Sequence, residues 1–177
     1  MIMTVWMAFC AIGAGVLHLA LVITASPVAA VPLGIVGAAE VIWAIIALRD
    51  RPRVLHGALA VLVAIPAAWA VVVVAESRGA APLALPLETM LAASALQLVV
   101  AGLIAVRLRR ARRENPDRPT VRPAGTLALV GSMLAAGVLV GAITTPALSD
   151  TAAGENARPH GEHLLGELTS PAGHDDH

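Results

Sequence analysis

The sequence predicts an all-α protein: a polytopic transmembrane helical bundle of five spans with a flexible C-terminal tail. Three observations predict it. The chain of 177 residues is 58% hydrophobic and 14% charged, with a mean hydropathy of +0.80, whereas soluble chains run ~45–50% apolar and ~25% charged. Its apolar residues, mostly Ala, Val, Leu and Ile, come in blocks of roughly twenty, the length at which a helix crosses a bilayer. Its arginines fall almost entirely in alternate loops between those blocks. The composition excludes a large soluble enzyme core and a basic nucleic-acid-binding face. Cys10 is the single cysteine, which excludes a disulfide-stapled domain.

The first span is expected over Val5–Ala25, closed by Ser26-Pro27. It lacks a basic leading region, is too long for a signal-peptide core and has a poor cleavage site, so it reads as a retained helix. Met7-Ala8-Phe9-Cys10 is equally poor as a lipoprotein box, because a large Phe precedes the cysteine. The second span, Val31–Leu48, is the shortest and ends at Arg49-Asp50-Arg51-Pro52-Arg53. The third, Val54–Ala75, carries Pro66 midway, which removes a backbone donor and frees the Leu62 carbonyl. A Pro-rich link leads to the fourth, Leu87–Val106. Residues 107–122 hold seven arginines and are too polar to enter lipid, so they read as a loop. The fifth span is Thr126–Thr145. Residues 1–146 thus form the bundle and 147–177 the tail.

All twelve basic residues are arginine, three of them in 49–53 and seven in 107–122. The positive-inside rule then puts both loops and the N-terminus in the cytoplasm and the C-terminus outside the plasma membrane. The tail carries six acids and one arginine, opposite in sign to the arginine loop. That loop reads as a topology signal that touches anionic headgroups, and it lacks the aromatic or base-reading residues of a nucleic-acid partner.

Few polar residues lie inside the spans: His18, Glu40 and Gln97, with His56 near the cytoplasmic boundary of the third. At ~1.5 Å rise per residue, His18 is ~10 Å, Glu40 ~13 Å and Gln97 ~15 Å from the outer ends of their spans. Three helices thus bring polar groups to a similar depth. Gly15 precedes His18 by three positions, Gly37 precedes Glu40 by three, and Ala93 and Ser94 precede Gln97. Small residues on those faces let backbones approach, so the faces point into the bundle. A charge in hydrocarbon costs at least ~2.5–3.5 kcal/mol, so Glu40 is expected to be paired or protonated, with His18 its nearest partner. The cluster reads either as a hydrogen-bonded clasp that fixes helix register or as a proton-coupled or ion-binding site. His18 and His56 lie at opposite depths, so they cannot clamp one haem. Gly137 and Gly141 make a GxxxG pattern, which serves packing within the bundle as readily as self-association.

The tail contains Pro159-His160-Gly161-Glu162-His163 and ends in His174-Asp175-Asp176-His177. The imidazoles of His160, His163, His174 and His177, beside Glu162, Asp175 and Asp176, are a ligand set suited to Cu²⁺ or Zn²⁺. The bland alternative is a solvated appendage. Several stretches together resemble a family of small uncharacterised polytopic membrane proteins of high-GC actinobacteria. These are Gly15-Val16-Leu17-His18-Leu19, the Glu40/Trp43 region, Glu76–Gln97, and Thr144-Thr145-Pro146-Ala147-Leu148 running on to Pro159–His163. The resemblance covers most of the chain, is sharpest from Thr144 to His163, and implies a topology and a source without a mechanism. The leading functional expectation is metal handling in the cell envelope through the tail. The alternative is a structural or assembly subunit packing against other membrane proteins or itself. An enzyme is the weakest reading, since no nucleophile–base pair, H-E-x-x-H helix or phosphate loop is present.

Overall fold

The computed structural model describes residues 1–49, 54–78, 86–113, 125–149 and 151, apart from the side chains of 54–56 and 76. Among these residues the regular structure is helical: α1 (Ile2–Leu21), α2 (Pro27–Leu48), α3 (Val54–Ser77), α4 (Leu87–Arg113) and α5 (Thr126–Ser149). All five contain a stretch long and apolar enough to cross a membrane. The chain is a multi-pass helical membrane protein, as its hydropathy pattern predicts.

Local chemistry sets the helix ends. Ser26 is the N-cap of α2 and Pro27 its first residue, where a missing N–H costs nothing because no intrahelical acceptor exists there. The span expected from Val31 thus begins four residues earlier, Pro32 sits in its second turn, and α2 reaches 22 residues. The larger departure is α4. The arginine stretch from Arg107 to Arg113 is the end of a 27-residue helix and not loop. Arginine is a good helix former, its charge complements the C-terminal end of the helix dipole, and the first proline comes only at Pro116. At ~1.5 Å per residue α4 is ~40 Å long against a ~30 Å hydrocarbon core, so the arginines need not enter lipid. α5 likewise runs through Pro146 to Ser149, three residues beyond the expected bundle boundary.

The centre of the bundle is α1, which packs on α2, α4 and α5, while α3 packs on α4. Met7, Cys10, Ala14, Leu17, Leu96, Val100 and Ile104 are all buried in this seam. α2 returns antiparallel to α1 after a five-residue turn, and α4 is also antiparallel to it: Thr4 at the start of α1 meets Arg107 near the end of α4. Arg49 and the arginine end of α4 therefore share one end of the bundle with Met1. The outer faces of α3 and α5, with Val63, Val71 and Val74 on one and Leu127, Leu134 and Val138 on the other, are exposed aliphatic surface suited to lipid. Among the described residues α2 and α3 have no extended packing against each other. A groove of about 360 Å³ lies between them.

Candidate functional site

Gly15 and Gly37 are the hinge on which the site is built. A Cβ on Gly15 would lie 2.8 Å from the Gly37 carbonyl oxygen, and a Cβ on Gly37 would lie 2.8 Å from that of Gly15. Neither position tolerates a side chain, because the obstacle is backbone. The α1 and α2 backbones therefore cross in contact, and one turn further along each helix the next inward residues are His18 and Glu40.

These two side chains meet. Nδ1 of His18 and Oε2 of Glu40 share a hydrogen bond of 2.8 Å, its direction set by which group holds the proton. From α4, Nε2 of Gln97 donates to the other carboxyl oxygen, Oε1, at 2.5 Å. His18 and Gln97 are fully buried and Glu40 is 5% exposed. One carboxyl group thus ties three helices together, and the three residues expected to converge do so. Hydrogen bonds between membrane helices are worth ~0.6–2 kcal/mol each. Two of them offset much of the ~2.5–3.5 kcal/mol that an unpaired carboxylate costs at mid-membrane.

Three polar atoms around this layer have no protein partner: Nε2 of His18, Oε1 of Gln97 and the indole Nε1 of Trp43. Trp43 lies one turn beyond Glu40, and both residues line the α2–α3 groove. The rest of that lining is aliphatic: Ile35, Val36 and Ala39 from α2, and Ala58, Val61, Leu62 and Ile65 from α3. His56 sits in the first turn of α3, and its side chain lies outside the described set.

Four further polar contacts have no signature in the sequence. The Thr89 hydroxyl, fully buried near the start of α4, donates to the Ala147 carbonyl at 2.9 Å. The last carbonyls of a helix have no intrahelical donor. At the end of α5 they are met by Thr89 at Ala147, by the Ser149 hydroxyl at Pro146 and by the Thr151 hydroxyl at Leu148. The Thr144–Leu148 motif is thus the place where α5 locks onto α4. At the opposite end, Nη1 of Arg107 donates to the Thr4 hydroxyl at 3.3 Å. A buried threonine leaves little trace in sequence, since it is compatible with either a lipid-facing or an inward position.

The tail residues His160, Glu162, His163, His174, Asp175, Asp176 and His177 lie outside the described residues. Among the described residues no three His, Cys, Asp or Glu side chains converge as a metal site would require. The class that fold and site define is therefore a multi-pass helical membrane protein with a buried His–Glu–Gln layer. Compared with known proteins, the chain matches no family model, no curated protein and no solved structure.

Proposed function

We propose that the chain is a structural subunit of the cell membrane, a rigid helical scaffold against which other membrane proteins or further copies assemble. The observation that carries this reading is the engagement of both Glu40 oxygens, one by His18 and one by Gln97. A hydrated ion path needs polar lining along its length. Here the carboxyl is spent on joining helices, and the groove between α2 and α3 beside it is otherwise aliphatic apart from Trp43. The arginine distribution supports an N-terminus inside the cell and a C-terminus outside. Reporter fusions at residue 115 and after His177 should report opposite sides of the membrane. For the function itself, membranes solubilised in mild detergent should hold the chain in a defined assembly larger than its 18.0 kDa mass. Glu40→Ala and Gln97→Ala should each dissolve that assembly. A monomer in the native protein overturns the reading.

A second reading rests on the tail. The pairs His160/His163 and His174/His177, with Glu162, Asp175 and Asp176 beside them, support capture of copper or zinc at the outer surface, as in an actinobacterial envelope. In that case the bundle is the anchor and the tail the working part.

A further inference from the structure

We infer that the groove between α2 and α3 seats the acyl chains of an anionic phospholipid, with the headgroup held at the arginine end of the bundle. This goes beyond the scaffold reading, which uses only the packed inner faces of the helices. Both walls are membrane-spanning helices that, among the described residues, do not close on each other, so the space between them opens to the bilayer. Eight of the nine lining residues are Ala, Val, Leu, Ile or Trp. The ninth, Glu40, has both carboxyl oxygens bonded to His18 and Gln97. The lining therefore rewards apolar contact alone.

Size separates a lipid chain from a helix. From Ile35 to Trp43 the α2 wall is about 12 Å long. A helix of that length and ~10 Å across fills roughly 900 Å³, whereas the groove holds about 360 Å³. An extended hydrocarbon chain, ~4 Å across at carbon contact distance, takes up roughly 150 Å³ over the same length. The groove thus suits two such chains side by side.

Charge selects the headgroup. Trp43 is the lining residue of α2 nearest to Arg49, six positions away or ~9 Å along the helix. Arg49 is exposed at the C-cap of α2. Arg109, Arg110, Arg112 and Arg113 are exposed at the same end on α4, the helix packed against α3. Of the described acidic side chains, Glu40 lies midway along α2 and Glu88 at the opposite end of α4. The sequence that links α2 to α3, 49–53, carries three arginines to one acid. Chains lying in the groove bring their phosphate up to these guanidinium groups, which pair with its oxygens. A zwitterionic headgroup also brings an ammonium that they repel.

The test follows Trp43 by fluorescence in the full-length chain carrying Trp6→Phe and Trp69→Phe, reconstituted in phosphatidylcholine vesicles. Phosphatidylglycerol with brominated acyl chains should quench Trp43 about fivefold more effectively than brominated phosphatidylcholine at the same low mole fraction. Arg49→Gln should remove most of that preference. Ala39 is exposed on the groove wall, so Ala39→Phe fills the groove and should remove the excess quenching while the helical signal and the unfolding midpoint stay as they were. Native mass spectrometry of the chain with its tryptophans intact, released from mixed vesicles, supplies a second readout: phosphatidylglycerol should stay bound to it and leave Ala39→Phe. Equal quenching by the two lipids means that bulk lipid fills the groove, and overturns the inference. So does a Trp43 shielded from both lipids in an oligomer, where a second copy covers the groove; that result would favour the scaffold reading. Phosphatidylglycerol retained equally by Ala39→Phe lies elsewhere on the bundle and overturns the inference as well.

Discussion

Replacing Gly37 by alanine should loosen the whole polar layer. The new Cβ would stand 2.8 Å from the Gly15 carbonyl oxygen, against an ordinary contact of 3.4 Å or more. Since the obstacle is backbone, α1 and α2 must part by about 0.6 Å at the crossing. His18 and Glu40 are one turn away and joined at 2.8 Å, so the same movement takes them to the edge of hydrogen-bonding distance. Losing a bond to a buried carboxyl group costs ~1.5–3 kcal/mol. The substitution itself returns up to ~1 kcal/mol through helix propensity, leaving a net loss of about 1–2 kcal/mol. Gly102 supplies the reference, since nothing lies within 4 Å of a Cβ built there. Gly102→Ala should be neutral or slightly stabilising. Reversible unfolding in mixed micelles, followed by helical circular dichroism, measures both. If Gly37→Ala unfolds at the same denaturant fraction as Gly102→Ala, backbone contact at the crossing does not set the clasp.

Three further outcomes follow from the geometry. Gln97→Leu removes the donor to Glu40 Oε1 and should cost ~1–3 kcal/mol, but much less in a Glu40→Leu background, because no stranded acceptor then remains; an additive double-mutant cycle would deny that the two side chains interact. Thr89→Val strands the Ala147 carbonyl at the buried end of α5, with an expected loss of ~1 kcal/mol, whereas Thr89→Ser keeps the hydroxyl and should retain most of the stability; equal midpoints for the two variants would contradict this. If the tail chelates metal, deleting Pro159–His177 should abolish Cu²⁺ or Zn²⁺ binding in calorimetry while leaving the helices folded. Affinity should fall from pH ~7.5 to ~5.5, since imidazoles with pKa ~6.5 take up protons that compete with the metal; undiminished binding by the truncated chain would refute a tail site.

How much was legible in the sequence depended on how each feature is encoded. His18, Glu40 and Gln97 could be placed together because each is a rare polar residue in an apolar run, and because depth on a helix is simple arithmetic. Gly15 and Gly37 added the facing, since a small residue one turn away marks a close approach. The end of α4 was hidden by a different logic. Charge says that Arg107–Arg113 leaves the lipid, yet leaving lipid and leaving the helix are separate events. Pro32 and Pro146 both lie within helices, because a proline near a helix end removes a bond that the end can spare. The α2–α3 groove had no signature in sequence, since it arises from two helices failing to meet, and Val61 or Ile65 would read the same against lipid as against a cleft. Thr89 was silent because its partner is a carbonyl 58 positions away.

The pairing of α1 with α2 also bears on how the chain can be built into a membrane. During synthesis α1 emerges first, and the next helix brings Glu40, the costliest group in the bundle. The five-residue turn between them makes the pair a hairpin, so the partner of Glu40 lies in the segment that precedes it into lipid. Among the described residues the main packing partner of α3 is α4, which follows it. α4 then completes three tasks in one insertion: Gln97 reaches Glu40, the long apolar seam closes on α1, and α3 is held in place. Along the chain His18 precedes Glu40 and Gln97 follows it, so the order of the helices itself supplies the carboxyl group with a partner before the bundle is complete.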